Sequence, residues 1–264
     1  MISLFKKYQV AYRCIGIMLI ICMVAVMIFG WKGQWYFPFL VLIPTIILIF
    51  CSATVFTVLA TKKLSKDVII LLNECQVYNF LYTVKNLFDK KVRGPNVSLY
   101  NALLAEGYAA VDDYEACYEC CQKIKAKAYL FQRRKHMIEY YLKKEQLAQA
   151  EAELEEMQKQ FNQIRNAKLK TDLADSVKNA EYAIRINKGD YEGAVEHYKK
   201  MLDTIKPLYP LTKVSYSCTI GRVLILKGDP ESAKEYFKVA YELGGDTKYR
   251  KIAEDKLQML NENN

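Results

Sequence analysis

The sequence predicts an all-α protein: an N-terminal two-helix transmembrane hairpin followed by an α-solenoid of helical hairpins. Three observations carry this. The first 61 residues contain no Asp or Glu and hold two uncharged runs, 14–31 and 33–61. From residue 64 onward, apolar residues recur at spacings of three and four with scarcely a period-two stretch, as amphipathic helices require. Finally, "KGDYEGAVEHYKKML" at 188–202 returns 39 residues later as "KGDPESAKEYFKVAY" at 227–241. A repeat of that length encodes one supersecondary unit that cannot bury its apolar face alone.

The first element is the hairpin, assigned to residues 1–63 with spans at about 14–31 and 35–61. A helix rising about 1.5 Å per residue needs about 20 apolar residues to cross about 30 Å of hydrocarbon, and each run reaches that scale. No small-residue cleavage site closes the first run and a second follows at once, which favours an uncleaved hairpin over a signal peptide. Pro38 and Pro44 fall in the first turns of the second run, and Trp31, Trp35 and Tyr36 cluster at the tip as interfacial aromatics do. Lys6, Lys7 and Arg13 precede the spans and Lys62, Lys63 and Lys66 follow them, against Lys32 alone between. Positive charge stays inside, so an integral membrane protein with both termini cytoplasmic is expected.

The net charge of +9 is concentrated near that hairpin: +4 over residues 1–61, +5 over 62–135 and zero over 136–264. Lipid headgroups, and thus the bilayer as a partner, account for that placement better than nucleic acid does, which is not expected as a partner. Of the eight cysteines, only Cys117, Cys120 and Cys121 cluster, without zinc-type spacing or a downstream pair, and they read as small buried hydrophobes.

Residues 64–93 read as a membrane-proximal helical cap lacking the repeat's turn. Residues 94–243 form the repeats, with turns beginning at 112, 145, 189 and 228. In each "KGD" the glycine, Gly189 or Gly228, can end one helix left-handed, and Asp190 or Asp229 can cap the next. Ala150, Ala194 and Ala233 are small where helices cross, and Tyr198 and Phe237 fill the adjoining gaps. The first helix of the third repeat puts Arg185 at a buried position unless its register slips by one residue. Residues 244–264 hold a final covering helix, capped by Asp246, and a frayed tail.

Gly228, Asp229, Pro230, Glu231, Ala233, Phe237 and Ala240, with Gly221 seven residues before the turn, resemble the tetratricopeptide repeat. Gly189, Asp190, Tyr191, Glu192, Ala194, Tyr198 and Met201 repeat the pattern, and weaker copies surround Asp112 and Glu145. The layout is similar to that of membrane-anchored bacterial proteins of this family. The resemblance implies a solenoid whose first helices line a groove for a partner peptide or helix, and it carries Gln132, Lys135, Glu139, Lys143, Cys218 and Arg222 over as groove residues. Family members that clamp a C-terminal carboxylate place Asn four residues after Lys, whereas here Glu139 follows Lys135.

No nucleophile with its base, no paired carboxylates, no metal ligands and no phosphate loop are legible, and His136 and His197 read as surface or packing residues. The expectation is a protein without catalytic residues, metal or cofactor: a membrane-anchored scaffold or adaptor that binds a protein partner. The alternative is an accessory subunit of a transport or envelope-assembly complex, with the repeats as a regulatory appendage.

Overall fold

The computed structural model describes residues 14–21, 24, 46–47, 63, 65–87, 96–206 and 208–262. The chain divides into two compact units, Met1–Ile70 and Leu71–Asn264.

In the first unit, residues 14–21 are helical and a π-helical turn spans Ser65–Ile69, where Lys63 pairs with Asp67 at 2.7 Å. Most of the expected spans at 14–31 and 35–61 lies outside the described residues. The expectations of a transmembrane hairpin, an integral-membrane localisation and cytoplasmic termini are corrected here: among the described residues no helix is long and apolar enough to cross a membrane. The eight-residue stretch 14–21 extends only about 12 Å. The longest helix, Ala167–Asn187, is crossed by charges from Lys168 to Arg185.

The second unit is a solenoid-like series of antiparallel helices. They are α1 (Val77–Leu87), α2 (Asn96–Ala110), α3 (Tyr114–Gln122), α4 (Leu130–Lys143), α5 (Leu147–Gln163), α6 (Ala167–Asn187), α7 (Ala194–Thr204), α8 (Pro210–Leu226), α9 (Pro230–Leu243) and α10 (Lys248–Glu262). A four-residue turn of helix, Ile70–Asn73, leads into α1. Consecutive helices run close along their backbones except α6 and α7, which meet through side chains, and α2–α4, α4–α6 and α8–α10 are also neighbours.

One turn builds the series. Cys75, Asp112, Glu145, Gly189 and Gly228 all have positive φ, between 57° and 82°. In each turn the following N–H reaches back five residues: Gln76 to Leu71 O, Asp113 to Tyr108 O, Gln146 to Tyr141 O, Asp190 to Arg185 O and Asp229 to Leu224 O, at 2.8–3.0 Å. This is the Schellman closure of a helix end. The segment expected to be a motif-less cap therefore contains the same turn, at Cys75.

Asp229 caps α9 by accepting from Ser232 N at 3.1 Å, and Asp113 caps α3 by accepting from Ala116 N at 3.1 Å. Asp190 does not cap α7, which begins after the left-handed Gly193; its carboxylate binds Arg185 Nε at 2.6 Å instead. That pair also settles the third repeat's register. Val177, Ala180 and Ile184 are buried, and Arg185 faces outward. Asp246 uses its backbone N–H, donated to Cys75 O at 2.9 Å, and Thr247 precedes α10 with its hydroxyl on Gly244 O.

The small contacts fall where helix pairs close. Ala150, Ala194 and Ala233 are fully buried, and Tyr198 and Phe237 are buried with them. A Cβ on Gly221 would lie 2.9 Å from the Phe237 ring. One apolar cluster joins α4, α5 and α6 through Ile138, Ala150, Met157 and Ile184. A second joins α7–α10 and also takes in Cys75, from the first turn of the unit.

Two substitutions test this construction. Gly221→Ala forces a methyl group against the immobile Phe237 ring, and a shift of the denaturant midpoint equivalent to a loss of about 1–3 kcal/mol is expected. Glu145→Gly removes left-handed strain at an exposed turn, and a gain of about 0.5–1 kcal/mol is expected in the same measurement.

Candidate functional site

The first helices of successive pairs present a polar inner face. Its starting point is Glu106, the only charged residue in α2, where every other side chain is apolar, small or neutral. Glu106 Oε1 accepts from Gln132 Nε2 at 2.9 Å and Lys135 Nζ at 3.3 Å, and lies 3.2 Å from His136 Nε2. All three partners stand on α4, so α2 and α4 are joined by charge as well as by apolar packing. Burial alone would raise the Glu106 carboxyl, but Lys135 and His136 beside it hold it well below the ordinary carboxylate range.

His136 is buried and its ring nitrogens lack well-aligned hydrogen-bond partners. Nε2 sits off the line to Glu106, and Nδ1 is 4.0 Å from Glu139 Oε2. Burial opposes its protonation, yet the Glu106 carboxylate outweighs burial and raises His136 above its ordinary value. Lys135 is raised in the same way, the carboxylates of Glu106 and Glu139 overcoming burial. Although protein surrounds Lys135, 40 % of its side chain remains exposed, so the inner face is enclosed and wet at once.

Glu139 continues the row to the other end of the unit. Its Oε2 lies 3.9 Å from Nζ of Lys248 on α10, and Lys248 donates to Tyr114 OH at 2.7 Å. The Lys248 ammonium also stands over the rings of Tyr114, at 4.8 Å, and Tyr249, at 5.3 Å. Burial would discharge Lys248, but Tyr249, Glu139 and Tyr114 raise it instead. Burial in turn pushes the Tyr114 phenol up to about 12.

A second group occupies the joint between α6, α7 and α8. Asn179 donates to Tyr216 OH at 3.0 Å, and its Oδ1 lies 2.8 Å from His197 Nε2. Tyr182 stacks on His197 at 4.6 Å and lies 6.2 Å from Tyr198. Ser215 donates to Tyr249 OH at 3.0 Å, tying the joint to α10. Burial, aided by Lys178, lowers His197 below its ordinary value.

Of the residues the resemblance marks as groove-lining, Gln132, Lys135 and Glu139 belong to this row. Lys143 pairs with Asp112 at 3.2 Å and borders a cleft of about 690 Å³ beside α10. Arg222 is exposed on α8, whereas Cys218 is buried at 2 % exposure and lies within the apolar cluster of α7–α10. Sequence reasoning missed Glu106, His136, Tyr114, Asn179 and Lys248. The one available signal was a lone Glu in an apolar helix. Among the described residues, no group of three or more His, Cys, Asp or Glu is placed to hold a metal ion. Comparison with protein-family models, curated proteins and solved structures finds no match.

The two histidines should tilt the pH–stability curve in opposite senses. His136, raised in the folded state, gives stability that is complete below the ordinary value of 6.5 and is lost as pH rises through its folded value. His197, lowered, gives stability that is complete above 6.5 and is lost as pH falls through its folded value. Thermal melts across the neutral range should therefore show His136→Gln losing the alkaline slope and His197→Gln losing the acid slope.

Proposed function

We propose that the second unit is a protein-interaction scaffold, built on the plan of a tetratricopeptide array, that holds a peptide or helix of a partner protein along its inner face. The observation that carries the reading is the row Glu106, Gln132, Lys135, Glu139: polar side chains from two first helices, directed to one enclosed face, with Lys135 still 40 % and Glu139 34 % exposed. Helix surfaces that serve only solubility spread their charges outward and pair them locally, as Lys159 does with Glu155 and Glu156. This row is instead centred on a largely covered carboxylate, Glu106 at 24 % exposure, and it offers both a cation and an anion to an incoming backbone or side chain.

The titration pattern favours holding over proton transfer. Glu106 is driven to stay ionised and Lys135 to stay protonated, and the same carboxylate favours the protonated form of His136, so each group is biased toward the charge state that pairs with its neighbour. Such groups fix the electrostatic character of a recognition face.

Photo-crosslinking in the cell of origin tests the reading. A photoreactive residue at Lys135 should trap a discrete protein adduct, and one at Glu156 on α5 should trap none. Adducts at neither position, or equally at both, would reject it.

A further inference from the structure

We infer that the second unit is a latched array, whose last helix closes onto its first turn through a releasable clasp, and that release of the clasp uncovers part of the inner face. The inference rests on the scaffold reading only for the purpose of the opening. Its geometry stands independently.

The clasp joins residues at opposite ends of the unit. Asp246 N–H donates to Cys75 O at 2.9 Å, and Lys248 donates to Tyr114 OH at 2.7 Å across 134 residues of sequence. Gly245 makes the approach possible: φ is +49°, and a Cβ there would fall 2.5 Å from Cys75 O. The Lys248 ammonium fills a socket formed by Tyr114, Tyr249 and Glu139. When α10 withdraws, Tyr114 and Glu139 lose their cover.

Three features make this seam the one that yields. Its directed contacts are few, Asp246 N–H on Cys75 O and Lys248 on Tyr114 and Glu139, and Cys75 is the one residue of the first turn that the apolar cluster of α7–α10 takes in. It borders the 690 Å³ cleft, where Asp112, Lys143, Arg250 and Asp255 keep the seam wet. Lastly, the backbones of α6 and α7 stand apart and the two helices meet through side chains, Tyr182 stacking on His197. Asn179 bridges His197 and Tyr216 at the same joint, about which α7–α10 can pivot. Cys75 lies in the apolar cluster of α7–α10, which makes the closed form the resting one.

The native cysteines report the motion. Cys75 is at the clasp and Cys117 stands one turn from Tyr114, whereas Cys120 and Cys121 are buried further along α3. Alkylation of the full-length chain with iodoacetamide, followed by mass spectrometry, measures each thiol separately. Lys248→Met should speed modification of Cys75 by about ten- to a hundred-fold, the effect of removing one buried charge-assisted contact, and leave Cys120 and Cys121 at their original rates. Unchanged Cys75 reactivity, or Cys120 and Cys121 accelerating with it, would overturn the latch. Gly245→Ala breaks the same seam from the other side and carries the same test if Lys248→Met does not fold. The measurement needs no partner, so its failure would leave the scaffold reading to be judged by crosslinking.

Discussion

The left-handed helix end is the constraint on which everything else in the second unit rests. Each helix stops where one residue takes positive φ and the next N–H returns to the carbonyl five residues back, which turns the chain through a fixed angle. The same local closure is repeated at Cys75, Asp112, Glu145, Gly189 and Gly228. Once the turn is fixed, small residues decide how closely the pairs approach. Ala233 and Gly221 let α8 and α9 meet around Phe237 with no gap.

The third pair departs from this rule. Besides the buried Ala194, Tyr182 and His197 stack between α6 and α7, and Asn179 bonds to both His197 and Tyr216. The left-handed Gly193 delays the start of α7, so its first turn is set by the loop and not by an Asp cap. Beyond this joint the last helix meets the first turn, Asp246 N–H donating to Cys75 O. The joint between α6 and α7 is thus made of polar and aromatic side chains, while α4–α6 and α7–α10 are each joined by an apolar cluster.

How much of this the sequence disclosed follows from what each feature needs. A glycine at a turn is visible, so the pairs ending at Gly189 and Gly228 were plain. The same turn made with Cys75 was hidden, because a cysteine at positive φ carries no local signal and is held there by the structure around it. Helical content and the buried faces came through the three-and-four spacing. Arg185 was ambiguous because its partner Asp190 lies in the loop, outside the helical period. The inner row was half legible: Gln132, Lys135 and Glu139 follow from the repeat pattern, but their counter-charges Glu106 and Lys248 belong to distant helices, and no local spacing relates residues 106, 139 and 248.

That nonlocality explains why the polar interior takes the form it does. A buried ion pair between neighbours adds little over an apolar contact, because desolvation offsets most of the attraction. Spread over α2, α4 and α10, the same charges instead specify which helices face one another, since only the closed arrangement places Glu106 beside Lys135 and His136 and Glu139 beside Lys248. Apolar clusters tolerate sliding, but a chain of alternating charges that must each find a partner does not. The inner face thus fixes the register of its own helices, and the order of its cations and anions is set by that same pairing.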